Sequence, residues 1–225
     1  LKSIEVREIE IDESINEEKQ PDWSEIDFSI DEVSSQYVTI TPEVVALLSL
    51  SDCRDQLVGS VTQPRKLLLA AKSAHLSLQS ALTAALAGSA NIGAHPEKLR
   101  SKYLQVLNSD LSDLTKYPES MYVMDFKDLL ETALEAPLPW TGEAIVISDE
   151  IKQLLFNLME IRHAIEHVKQ TDRVMHKVDL LNAIGPAIRL TIELLQTVFH
   201  HFEEGEIEEI NGASAQIFLL LNSRI

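Results

Sequence analysis

The chain has 225 residues, 45% of them apolar and 5% aromatic, with only seven glycines, which suits one substantial helical domain and disfavours a turn-rich β-sandwich or barrel. Its formal net charge of −17 counts against the basic stripe that marks many nucleic-acid binders. That charge is concentrated at the ends: residues 1–34 hold 12 acidic and 3 basic side chains, and residues 200–225 hold 5 and 1. The body between them is close to balanced. The single cysteine, Cys53, allows no internal disulfide, and no secretory signal pattern opens the sequence, so a cytoplasmic location is expected. The apolar stretch from Leu67 to Leu86 is interrupted by Lys72, His75, Gln79 and Thr83; it reads as a buried helix, and no membrane association is expected.

In chain order, residues 1–36 read as an acidic arm and linker, either unstructured or contributing an edge strand through Ile4, Val6, Ile9 and Ile11. Residues 37–225 form the expected single helical domain. Thr41 and Pro42 supply a capping hydroxyl and a first-turn proline, opening a helix from Pro42 to about Ser51. Pro64 opens a second helix, rich in Ala and Leu on most faces, which stops at Gly88 and should lie at the centre. Pro96 starts a helix to about Leu114, and Pro118 another to about Glu135. Pro137, Pro139 and Gly142 predict a loop over 136–147, with 144–147 extended. Ser148 caps a helix with the apolar stripe Ile151, Leu154, Leu155, Leu158, Ile161 and Ile165, followed by a break at 170–172. Lys177 to about Phe202 carries the stripe Ile188, Ile192, Leu195, Val198, Phe199 and Phe202, kinked or divided at Gly185-Pro186. A short helix from Ala213 to Leu221 ends the series. The expected fold is all-α, an irregular bundle of six or seven helices.

No Gly-rich phosphate loop, GxSxG or CxxC is present. Cys53 beside Arg54 is a candidate nucleophile, although a lone cysteine is more often structural. His200 and His201 fall in the last turn of a helix, where an imidazolium suits the negative end of the dipole. The densest cluster is Glu160-Ile161-Arg162-His163-Ala164-Ile165-Glu166-His167. Within it His163, Glu166 and His167 spell HxxEH, which places two histidines about 40° apart on one helix face, as in some zinc hydrolases. Such enzymes need a third ligand from a downstream acidic residue, and none stands out in this sequence. No cofactor or metal is expected. Arg162 and Glu166, four residues apart, also have the spacing of a surface ion pair.

Arg162, the polar His163 and then His167 form an R-x4-H pattern late in a helix, with a break and a long amphipathic helix after it. In this the chain resembles the HEPN superfamily, over about residues 60–205. The resemblance implies a metal-independent endoribonuclease of bacterial toxin or defence type, with Arg162, His163 and His167 as catalytic residues and RNA as substrate. Chemically, histidine titrates near neutrality and can exchange protons with a 2′-hydroxyl or a leaving oxygen, while arginine steadies a charged phosphorane. On a regular helix, residues five apart diverge by about 140°, so Arg162 and His167 converge only where the helix ends or where a second subunit completes the site. The family's usual homodimer, with the motif lining the cleft between subunits, would meet that condition. A basic groove around Arg162, Lys169 and Arg173 would favour the nuclease. Val168, Lys169 and Gln170 stand where many toxin members carry a tyrosine, so regulation by nucleotide transfer to that residue is not expected. The other reading is a non-catalytic HEPN-like dimerisation or regulatory module whose acidic ends meet a basic protein partner.

Overall fold

The computed structural model describes residues 39–108, 118, 122–167 and 174–223. Within them the chain forms seven α-helices and no strand: α1 (Pro42–Gly59), α2 (Lys66–Ala87), α3 (Glu97–Leu107), α4 (Phe126–Glu135), α5 (Asp149–Glu166), α6 (Lys177–Thr197) and α7 (Glu204–Asn222), with a 3-10 turn (Phe199–His201) between the last two. The protein is an all-α helical bundle. The arm expected over residues 1–36 and the break at 170–172 lie outside the described residues. No helix among those residues is long and apolar enough to cross a membrane.

The central position of α2 follows from its side chains. Ala70, Ala71, Ala74, Ala81 and Ala85 are fully buried, and with so little side chain between backbones α1, α4, α5 and α6 all pack against this one helix. The Ser77 hydroxyl, fully buried, donates across the interface to the Ala46 carbonyl of α1 at 2.8 Å, which removes the cost of enclosing it. At the end of α2, Gly88 adopts φ +65°, a conformation that favours glycine as a helix stop. Gly93 then returns so close to the helix that a Cβ would fall 1.9 Å from the Leu86 carbonyl oxygen. Pro64 begins the winding as expected, through a bond from the Leu67 amide to its carbonyl, and regular α geometry sets in at Lys66.

Several boundaries differ from the sequence-based expectation, each for a visible reason. α1 does not stop near Ser51 but continues to Gly59, because Ser51 and Asp52 turn outward. Ser51 donates to Glu209 of α7 at 2.6 Å, and Asp52 accepts from Gln56 and Ser73. Buried Cys53 and Leu57 extend the apolar stripe begun by Ala46 and Leu50. α4 begins at Phe126 rather than Pro118, with Asp125 as its cap. The residues before it are drawn to the loop after α2, where the Met124 amide meets the Ala94 carbonyl and the His95 Nδ1–H donates to the Tyr122 carbonyl. α3 is regular to Leu107, and its expected continuation to Leu114 falls mostly outside the described residues. α6 runs unbroken through Gly185-Pro186 instead of dividing there. The missing side chain at Gly185 lets α7 approach, with Leu221 Cδ1 3.6 Å from where a Cβ would be. α7 starts nine residues before the expected Ala213, because Glu203 and Glu206 form a reciprocal capping box and acidic side chains suit a helix start. The stretch 136–147 is irregular, as expected, and among the described residues 144–147 pair with no strand.

The Ser148 hydroxyl caps α5 by accepting from the Ile151 amide. Leu155, Leu158 and Ile161 are buried, with Ile151, Leu154 and Ile165 half-buried beside them. This stripe lies against α2 and α6, and it fixes the rotation of α5 so that the charged residues of its last turn meet α2.

Candidate functional site

At the end of α5 the structure assembles a cluster of charged and imidazole side chains from two helices. Arg162 Nη2 lies 2.7 Å from Glu166 Oε2, the i,i+4 pair. The other carboxylate oxygen, Oε1, lies 3.5 Å from Lys72 Nζ of α2. One carboxylate is thus held between two permanent cations from different helices. The side chains remain open to solvent, with relative exposures of 43% for Lys72, 32% for Arg162 and 25% for Glu166. His163 and His167 are exposed on the same turn, their ring centroids 5.9 Å apart.

α5 ends between Glu166 and His167. Glu166 is the last helical residue, and His167 takes φ −115°, ψ 74°, outside the helical region, while its amide still donates to the His163 carbonyl. The regular helix thus ends between Arg162 and His167.

Beneath this surface lies His75 of α2, only 2% exposed, with its ring 4.5 Å from that of Phe126. Its Nε2 has no hydrogen-bond partner. Burial pushes its pKa down to about 4, the charges of Arg162 and His163 push the same way, and Glu166 opposes them. The ring is neutral at physiological pH. In the sequence Lys72 and His75 stand only as interruptions of an apolar helix. Their i,i+3 spacing on one face of that helix was the available signal.

The other sequence candidates are placed as follows. Cys53 is fully buried, and burial followed by the nearby Asp52 pushes its thiol far above the ordinary range. Arg54 turns instead to Asp55 at 2.8 Å, so Cys53 is a core residue and not the nucleophile considered above. His200 and His201 sit in the 3-10 turn beyond α6 rather than in its last α-helical turn. There they stack edge-on with Trp140, and His201 Nδ1 reaches Glu43 Oε1 at 3.1 Å. Among the described residues no three His, Cys, Asp or Glu side chains come together as a metal-binding group; Glu166, the acidic residue of HxxEH, is engaged by Arg162 and Lys72. Lys169 and Arg173 lie outside the described residues. A separate cavity of about 400 Å³ between α5, α6 and α7 is walled by Ile151, Leu181, Pro186 and Phe218, with Arg189 and Glu193 also lining it.

Comparison with protein-family models, with characterised proteins and with solved structures finds no match for this chain. What is established is the class: an all-α bundle with a cationic and imidazole cluster at one helix end.

Proposed function

We propose that this chain is a HEPN-like, metal-independent endoribonuclease of bacterial toxin or defence type, acting as a homodimer with Arg162, His163 and His167 in its site. The observation that carries this reading is the end of α5 at Glu166, so that Arg162 and His163 lie in the last helical turn and His167 stands at its cap. His167 takes the proton of a ribose 2′-hydroxyl, whose oxygen attacks the adjacent phosphorus. The 5′-oxygen leaves and takes up the proton held by His167, and the products are a 2′,3′-cyclic phosphate and a 5′-hydroxyl. Arg162, released from Glu166, stabilises the extra charge on the phosphorane. His163 lies within the cluster as the polar residue that follows the arginine.

A second reading has an observation of its own. The 2.7 Å pair of Arg162 with Glu166 engages the arginine, as expected of a non-catalytic dimerisation or regulatory module whose acidic ends meet a basic partner. Incubation of labelled single-stranded and hairpin RNAs with purified protein in EDTA separates the two. Cleavage by the wild type that is lost in His167→Ala supports the nuclease. A folded wild-type dimer that leaves every RNA intact overturns it in favour of the module.

A further inference from the structure

We infer that Lys72 and Arg162 together form a clamp for an RNA phosphate, in which Glu166 stands as an internal placeholder until the phosphate displaces it. The inference rests on the ribonuclease reading for the identity of the ligand, and it adds Lys72 of α2 as a substrate-binding residue that the α5 motif does not contain.

The geometry is that of one singly charged anion shared by two cations, each carboxylate oxygen taking one of them. A phosphodiester offers the same pattern, with two non-bridging oxygens and one negative charge, to the same arginine fork and lysine ammonium. Exchange is inexpensive because all three side chains are partly solvated, and an ion pair in such a setting is worth little against water. Lys72 and Arg162 against the one carboxylate of Glu166 give these three side chains a net positive charge, on a chain whose net charge is −17. Lys72 also lines a groove of about 380 Å³ between α1 and α2, whose apolar wall is formed by Leu48, Leu69 and Leu76, each exposed. Asp52 also lines that groove, where it accepts from the neutral side chains of Gln56 and Ser73 and so confines a strand to the apolar wall. A strand held at the clamp thus has an adjoining surface for the neighbouring nucleoside.

A merely structural bridge predicts that removing either partner has the same small effect. The clamp predicts opposite effects, because Lys72 binds the phosphate and Glu166 competes with it. The test is fluorescence anisotropy with a single-stranded 2′-O-methyl oligoribonucleotide, which cannot be cleaved through its 2′-oxygen, at several salt concentrations. Lys72→Gln should weaken binding about tenfold at low salt and reduce the salt slope by about 0.7, the loss of one single-strand phosphate contact. Lys72→Arg should restore most of it, and Glu166→Gln should tighten binding about tenfold. Thermal melts of each variant identify any that fails to fold, and Lys72→Arg keeps the test open in that event. Binding that is absent in the wild type, indifferent to Lys72→Gln, or weakened alike by Lys72→Gln and Glu166→Gln overturns the clamp. Because the probe is not cut, the two readings fail separately. Cleavage of ordinary RNA with binding indifferent to Lys72 leaves the nuclease without the clamp, and the converse leaves a phosphate-binding module without the chemistry.

Discussion

Two regions of this bundle set a pair of neighbouring histidines beside a carboxylate, and they are built differently. At the end of α5, the carboxylate of Glu166 is held by Arg162 and Lys72, while His163 and His167 are open to solvent. At the turn after α6, the carboxylate of Glu43 is held by His201 itself, and the two imidazoles lie 4.1 Å apart, edge-on, with Trp140 against both. There the histidines are structural, tying the end of the 3-10 turn to the start of α1. A histidine is available for chemistry where another cation has taken the anion, and is a fastener where it must take the anion itself.

The largest expected effect separates the regions by activity. His167→Ala should reduce RNA cleavage by about 10²- to 10⁴-fold, the range for removing a positioned acid or base, while His200→Ala and His201→Ala leave the rate within about twofold. Equal losses from both pairs would break the distinction. Next comes the stability of the α5 region against acid. His75 is neutral in the fold, with a pKa near 4 against 6.5 for the free side chain. The unfolded chain therefore binds the proton first, and stability falls as pH drops from 6.5 towards 4. The loss amounts to about 3 kcal/mol, read as a falling urea midpoint, and His75→Leu should remove that part of the slope. The smallest effect belongs to the other region. Burial pushes the Glu43 carboxyl up, but its own backbone amide and the bonds from His201 and Thr41 outweigh it, so the group lies below its ordinary 4.5. Its contribution is present above that value and lost as pH falls through the lower, folded one. Glu43→Gln should flatten the stability curve only below pH 4.5 and cost less than about 1 kcal/mol at neutrality. A urea titration series at pH 7, 5 and 3.5 reads both windows.

Much of the fold was legible in local patterns. The Thr41, Pro42 and Ser148 starts and the Gly88 stop stand where their side chains and dihedral freedom predict, and the α5 stripe buries the residues its 3.6-residue period selects. Two of the boundary differences share one cause, a polar or small residue that a distant partner absorbs. Ser51 is answered by Glu209, 158 residues away, and Gly185 makes room for Leu221. For the site, Arg162, His163 and His167 are legible because they fall within six residues at the end of one helix. Lys72 and His75 are not, since 87 residues separate His75 from Arg162 and only the packing of α5 on α2 brings them together.

By itself, then, the sequence determined the all-α class, the central alanine-rich helix and the segment carrying the R-x4-H pattern, because propensity, capping and hydrophobic period act over one or two turns. The tertiary structure alone decided that Cys53 is buried and inert, that His75 lies neutral beneath the cluster, and that Glu166 is shared between Arg162 and Lys72. Burial, desolvation and ion pairing between helices depend on which faces meet, and that is settled only when the whole core has packed.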